Sequence, residues 1–365
     1  MPNKKVLPPK TSMWAKITRH QIVIPIVALV ILAIFNLIND PNFFSITMKP
    51  NSNGDNILSG NIISIIDNGS ELAILALGMT LVTAASGGQD ISVGAAIAIS
   101  GSVLLRVLNG GDPRSETMQS PIIVAFLIAC LVSMAFGAFN GALVAFFKIQ
   151  PMVATLILFT AGRNIASWIN NSELPIVKDE SFGYFGNYIP GVPIPTPFLI
   201  AIVCFIVMFL VMKFTNLGLY VQSVGINEKT SRLNGLNPEF IKLMTYVILG
   251  LCVAVAALIK VSRISTINYS VIAKDIEMDA ILAVALGGNA LSGGRFSMAS
   301  SVLGAYVIQF LTTTLYALEV NSAALPAYKA VVVILLVVMS SPAVKEKFAQ
   351  LSKKFHKNEA AAGKA

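Results

Sequence analysis

The chain has 365 residues, of which 55% are hydrophobic and only 12% charged, with a mean hydropathy of +0.75 and a net charge of +8. A water-facing globule is excluded, since soluble domains carry about 25% charged residues, and apolar stretches long enough to cross a bilayer recur along the whole length, so lipid is the solvent. The positive charge does not point to nucleic acid, because the basic residues gather in the tails and in loops between apolar runs.

Ten apolar segments follow one another, at roughly 22–38, 61–85, 91–108, 121–147, 151–169, 197–212, 241–259, 272–287, 298–318 and 327–341. The pattern predicts an all-α integral membrane protein with about ten transmembrane helices. Segments 91–108, 272–287 and 327–341 are weaker and are expected to be short, broken or re-entrant. Segment 121–147 exceeds a single crossing and would tilt or extend beyond the lipid. The first segment follows a basic tail like a signal peptide, but it lacks a small-x-small cleavage site and is taken as a span. Cys130, Cys204 and Cys252 each sit inside an apolar run and read as small apolar residues.

Lys and Arg set the orientation. With both termini in the cytoplasm, seventeen of the 26 basic residues fall on the inner side, eight on the outer side or its helix ends, and Arg163 within a span. The positive-inside rule therefore favours both ends inside and an even number of crossings. The domain plan is a basic cytoplasmic tail over 1–21, a polytopic domain over 22–341 with a cytoplasmic loop at 213–240, and a second basic tail over 342–365. Polar loops at 39–60 and 170–196 lie outside. The second, ending Pro190-Gly191-Val192-Pro193-Ile194-Pro195-Thr196-Pro197, is either a compact docking surface or a connector that its prolines keep from becoming helical.

Between the second and third segments runs Ala85-Ser86-Gly87-Gly88-Gln89-Asp90-Ile91-Ser92-Val93-Gly94. Gly87 and Gly88 permit a sharp reversal, and Asp90 and Ser92 are both good N-caps for the next helix. One reading is a broken helix lining a polar cavity, where freed backbone groups meet a hydroxyl-rich solute; the other is a tight turn capped by Asp90. Gly87, Gly88, Gln89, Asp90, Ser92 and Gly94, with Asn140 in the fourth segment, are the candidate pathway residues. A second glycine-rich stretch, Leu286-Gly287-Gly288-Asn289-Ala290-Leu291-Ser292-Gly293-Gly294-Arg295, contains a peptide close to the signature of ABC ATPases. The chain has no G-x-x-x-x-G-K-[ST] phosphate loop, so this is read as a tight turn between helices.

In the central loop, Asn227 to Leu233 predicts a short helix N-capped by Asn227 and closed by Gly235. Such a helix outside the lipid can dock into another protein's groove, or simply be a solvated surface helix. Glu71, Asn140, Arg163 and Asn164 lie in or near spans. Insertion scales put a mid-bilayer charge at about 2.5–3.5 kcal/mol, so Glu71 and Arg163 are expected to face protein or water and to pair within the bundle.

Together these stretches resemble the permeases of binding-protein-dependent monosaccharide ABC importers, the ribose-type family. The similarity rests on Gly78 to Gly94, on Lys148-Ile149-Gln150-Pro151-Met152-Val153-Ala154-Thr155-Leu156, on Val224-Gly225-Ile226-Asn227, on Asp279-Ala280-Ile281-Leu282-Ala283-Val284 with Gly287-Gly288, and on Ser292-Gly293-Gly294-Arg295. It spans about Pro41 to Pro342. Lys148 to Arg163 and Gly293-Gly294-Arg295-Phe296 look closest to galactofuranose-type permeases, with fructose, ribose and xylose permeases near. The resemblance implies a non-catalytic subunit in the cell membrane with no cofactor of its own. It also implies a cytoplasmic ABC ATPase that uses ATP, an external sugar-binding protein and a second permease chain, identical or similar. The same resemblance makes Asn227 to Gly235 the coupling helix, with Gly225, Asn227, Glu228, Arg232 and Gly235 as its candidate residues. Glu228-Lys229-Thr230 departs from the family's usual Glu-Ala-Ala, and the insertion around Met48–Asn61 departs from its shorter members. Two alternatives remain open: a branched-chain amino acid permease of the same architecture, and an ion-coupled transporter acting alone. The latter calls for an ionisable relay in mid-membrane, and only Glu71 and Arg163 lie well inside spans.

Overall fold

The computed structural model describes residues 21–50 and 56–340; apart from Gln21, the tails expected at 1–21 and 342–365 lie outside the described residues. All ten apolar segments contain a helix: α1 (Val23–Asn39), α2 (Asn61–Ser86), α3 (Val93–Leu108), α4 (Ile122–Ala145), α5 (Pro151–Ile169), α7 (Thr196–Phe214), α10 (Pro238–Ile264), α11 (Ile276–Leu286), α12 (Met298–Ala317) and α13 (Leu325–Ser340). Among the described residues six of these, α2, α4, α5, α7, α10 and α12, are long and apolar enough to cross a membrane. Three short helices complete the set: α6 (Glu180–Gly183), α8 (Leu217–Ile226) and α9 (Glu228–Leu233). Pro151, Pro197 and Pro238 stand in the first turns of α5, α7 and α10. There the missing N–H costs nothing and the fixed φ starts the helix.

Sequence composition sorts the helices into layers. α2, α10 and α12 are mostly buried, whereas α4, α5 and α7 leave long apolar faces uncovered, as lipid-facing helices do. α10 packs on α2, α3 and α4, and α2 also packs on α7, α11 and α12. Small residues make the close approaches: Gly78 of α2 meets Leu249 and Cys252 of α10, and Gly69 meets Tyr306 of α12.

Two features depart from an unbroken all-α bundle. Residues 47–59 contain a hairpin, β1 (Thr47–Pro50) against β2 (Asn56–Ser59), paired antiparallel with Thr47 opposite Ser59. It sits on the 170–196 loop: the Leu58 N–H donates to the Pro193 carbonyl at 3.2 Å and the Tyr188 hydroxyl donates to the Leu58 carbonyl at 3.1 Å. The described parts of the two long loops thus meet in one cap.

The second departure is the break between α10 and α11. The apolar segment at 272–287 becomes helical only at Ile276, and α11 has 11 residues. Residues 265–275 descend beside α3: Ile267 packs over Gly101, while Ala273 and Glu277 lie against Gly94, two turns or about 10 Å lower. Ser265, Ala273 and Asp275 have φ of 55°, 50° and 65°, a left-handed backbone that side chains resist and that tends to cluster at functional segments. Arg163 fastens the descent, donating from Nη1 to the Tyr269 and Ile272 carbonyls, each at 2.8 Å. The expected pairing of Arg163 inside the bundle is thereby met by backbone. Asn164, expected near it as a buried polar residue, is exposed.

Candidate functional site

The stretch 87–94 folds as a packed junction. Gly87 ends α2 in the left-handed conformation at φ 66°, its N–H donating to the Thr83 carbonyl at 3.0 Å. Gly88 lies against the Pro151 ring, and Gln89 donates from Nε2 to the Leu291 carbonyl at 3.3 Å. Asp90 is buried; its Oδ1 accepts from the Ser92 N–H at 2.7 Å and from the Ser92 hydroxyl at 2.6 Å. Asn140 donates from Nδ2 to Ser92 Oγ at 2.9 Å and to Asp90 Oδ2 at 3.3 Å. Neither Asp90 nor Ser92 caps α3 with its side chain, because the Ser92 hydroxyl is committed to Asp90. Beside this trio the Ser133 and Tyr246 hydroxyls line a cavity of about 10 Å³, room for no more than one water.

The two glycine-rich stretches meet. The Gly294 N–H donates to the Ala84 carbonyl at 2.9 Å, and Gly87 lies against the Ser292 carbonyl and Gly293. Gly225, in the last turn of α8, presses on that same Ala84 carbonyl and on Gly294. Asn289 braces the turn: its Nδ2 donates to Ser301 Oγ at 2.7 Å, its Oδ1 accepts from the Ser297 N–H at 2.7 Å, and Ser301 Oγ accepts from Thr80 of α2 at 2.6 Å. The ATPase-like peptide is therefore a turn, and it joins α2 to the central loop.

From this junction α9 projects. Asn227 caps it, accepting from the Thr230 N–H at 2.9 Å, and Gly235 turns the chain back at φ 81°, as the sequence predicts. The preceding helix α8 was not legible in the sequence. Five charges hold α9 in place. Glu228 pairs with Lys242 at 2.6 Å, Lys148 at 2.8 Å and Arg232 at 3.6 Å; Glu239 pairs with Lys148 at 2.8 Å and with Arg232. The Lys148 ammonium, followed by that of Lys242, holds the Glu228 carboxyl down to about 2 from its ordinary 4.5. A depressed carboxylate contributes its stabilisation fully above its ordinary pKa and loses it as pH falls toward the folded value, so this network stays intact through mild acid. Ile226 and Leu233 project from it, Leu233 at 89% exposure.

Two sizeable cavities lie at the opposite end of α2. One of about 640 Å³ is lined by Asn61, Ser64, Asn68 and Glu71 of α2, by Lys260, by Val271 to Asp279 in part, and by Gln309, Thr312, Thr313 and Tyr316 of α12. It adjoins a cavity of about 710 Å³ against α13, with Val271, Lys274, Asp279 and Tyr316 common to both. Glu71 is buried at its wall, paired with Lys260 at 2.6 Å and Arg263 at 2.8 Å; Arg263 also reaches Asp67 at 3.1 Å, and Asp279 pairs with Lys329 at 2.9 Å. The pairing expected of Glu71 within the bundle is present. The rest of this lining was not read from the sequence. A signal was available: Asn61, Ser64, Asn68 and Glu71 recur at helical spacing on an otherwise apolar span, and Gln309, Thr312, Thr313 and Tyr316 do so on another.

Comparison with known proteins gives the class. Residues 61–340 match the family described as "Branched-chain amino acid transport system / permease component". The chain is 35% identical over 334 residues to the fructose import permease protein of Bifidobacterium longum, covering 90% of each chain. It is 35% identical over 320 residues to the galactofuranose transporter permease protein of Escherichia coli, covering 87% of this chain and 88% of the relative, and 32% identical over 319 residues to that organism's ribose import permease protein, covering 87% and 92%. No solved structure matches it. The chain belongs to this family of transport permease components, and it is a multi-pass membrane protein.

Proposed function

We propose that the chain is the non-catalytic permease subunit of an ATP-binding-cassette importer that carries a monosaccharide across the cell membrane: a furanose-forming hexose such as fructose or galactofuranose, or a pentose such as ribose or xylose. The observation that carries the reading is the placement of α9. A short, capped, charge-locked helix presents Leu233 at one end of α2, and a polar cavity opens at the other. A motor bound at α9 acts through the Ala84–Gly225–Gly294 contact on the helix that lines the solute's entrance. The partners are a cytoplasmic ABC ATPase, an external sugar-binding protein seated on the cap of the 39–60 and 170–196 loops, and a second permease chain completing the pore. The chain has no phosphate loop and leaves ATP to its partner.

The test is reconstitution of the complete importer in proteoliposomes, with ATP hydrolysis measured as binding protein loaded with fructose, ribose or galactose is added. Stimulation by sugar supports the reading; stimulation by leucine instead returns the branched-chain amino acid alternative. Glu228→Lys reverses the charge that Lys148 and Lys242 hold and is expected to lower stimulated hydrolysis at least about tenfold, since a lost charged contact is worth roughly 1.5–3 kcal/mol. Unchanged stimulation leaves α9 a surface helix.

The orientation has its own test. With the native cysteines replaced, Met48→Cys on the hairpin is expected to react with an impermeant maleimide in intact cells, and Lys229→Cys only after the membrane is opened. Both side chains are exposed. Labelling of Lys229→Cys from outside reverses the topology.

A further inference from the structure

We infer that the cavity between α2, α11 and α12 is a solute site of the permease itself, built to hold one neutral polyhydroxylated molecule against Gln309, Thr313 and Tyr316. The inference rests on the proposed function and names the place where that solute is held.

Three observations converge on the site. The first is the break at 265–275. Non-helical backbone inside a membrane domain is tolerated only where protein buries it or where it lines a water-filled cavity. Here Val271 and Lys274 of the break line the cavity wall, and the left-handed residues Ala273 and Asp275 bring the chain into α11 at that level.

The second is charge. The cavity's acids are neutralised by bases beside them: Glu71 by Lys260 and Arg263, and Asp279 by Lys329. In the break, Lys274 stands next to Asp275. A cation entering this space meets no uncompensated acid among the described lining residues, and any ion gives up hydration that is costly to lose. A neutral solute gives up only hydroxyl hydrations, which amides and hydroxyls can replace.

The third is the chemistry of what remains. Gln309 supplies an amide with both donor and acceptor, and the Thr313 hydroxyl, which donates to the Gln309 main-chain carbonyl at 3.1 Å, can still accept; the Asn68 amide is held by Arg263 and the Ser64 carbonyl. Tyr316 stands at the mouth, 54% exposed, with its ring and its hydroxyl free to meet a solute. The lining is mostly polar, which suits a hydroxyl-rich solute, and about 640 Å³ lies within the range of small-molecule sites, about 300–1,000 Å³. A bare conduit for water would need no such assortment on two facing helices.

The experiment uses the complete importer in proteoliposomes and reads two quantities in the same sample: ATP hydrolysis stimulated by sugar-loaded binding protein, and uptake of radiolabelled fructose, ribose or galactose, whichever the unaltered importer carries. Gln309→Leu and Tyr316→Ala are compared with the unaltered chain, and Gln309→Asn serves as the conservative variant. The expected result is stimulated hydrolysis within about twofold of normal together with uptake reduced about tenfold or more, as loss of a solute hydrogen bond predicts, and partial recovery in Gln309→Asn. Retained hydrolysis establishes that each variant has folded and assembled. Normal uptake in both Gln309→Leu and Tyr316→Ala overturns the site while leaving the importer reading intact. An unaltered complex that neither responds to nor carries any of the three sugars overturns the importer reading, and the site with it.

Discussion

Gly225→Val is expected to disconnect the importer's motor from its pore while leaving the membrane bundle folded. Gly225 closes α8, and any β-carbon there overlaps the Ala84 carbonyl oxygen and crowds the Gly294 N–H that donates to it. The three backbones meet with no space between them, so α8 must lift away from α2. Overpacking of this kind costs about 1–3 kcal/mol where neighbours can shift, and here the neighbours are main chain. The strain falls at the contact between α2 and the loop that carries α9. Sugar-stimulated ATP hydrolysis should fall more than about tenfold. Gly225→Ala should share most of the loss, because the β-carbon alone makes the clash. Gly218→Ala is the control, since its nearest neighbour is the flexible Met212 side chain at 3.3 Å. Near-normal stimulation in Gly225→Val, with the protein present in the membrane at normal amounts, means that the junction transmits nothing.

Glu71→Leu is expected to be the most destabilising single change in the bundle. The carboxylate is almost fully buried and holds both Lys260 and Arg263, and through Arg263 the Asp67 side chain and the Gly186 carbonyl. Leucine fills the volume but leaves Lys260 without its carboxylate and Arg263 with Asp67 alone among its acids. Breaking a buried pair by removing one partner costs about 3–5 kcal/mol, and the value here should lie near the lower end because Lys260 borders the wet cavity. Glu71→Gln keeps an acceptor and should cost less. Thermal unfolding of the detergent-purified chain measures the difference. A melting temperature equal to that of the unaltered protein would mean that Lys260 and Arg263 find water or other partners, and that the network is dispensable.

Much of the fold was legible. Apolar runs of bilayer length, broken by prolines at helix starts and by paired glycines at turns, placed the ten helical segments within a few residues, because hydrophobicity over about twenty residues dominates any competing preference in lipid. The weak segment at 272–287 was marked as short or broken, and α11 with its left-handed approach is that break. The cap of α9 was equally local: an Asn, a carboxylate in the first turn and a glycine beyond the end specify a short helix whatever surrounds them.

The tertiary structure decided the rest. In sequence, Gly87, Gly225 and Gly294 are far apart; only packing shows that Gly225 and Gly294 meet at one carbonyl, that of Ala84, with Gly87 beside them against Ser292. Asp90, Ser92 and Asn140 read as a pathway because polar groups on a broken helix can line one; packing shows them hydrogen-bonded to one another beside a space no larger than a water. A larger cavity lies between helices far apart in the chain, where Asn68 of α2 comes to share it with Gln309 of α12. Local physical chemistry fixes which segments are helical, where they start and where they break. Which polar faces point at one another depends on how those helices pack, and that is set by long-range contacts between small residues that no single segment contains.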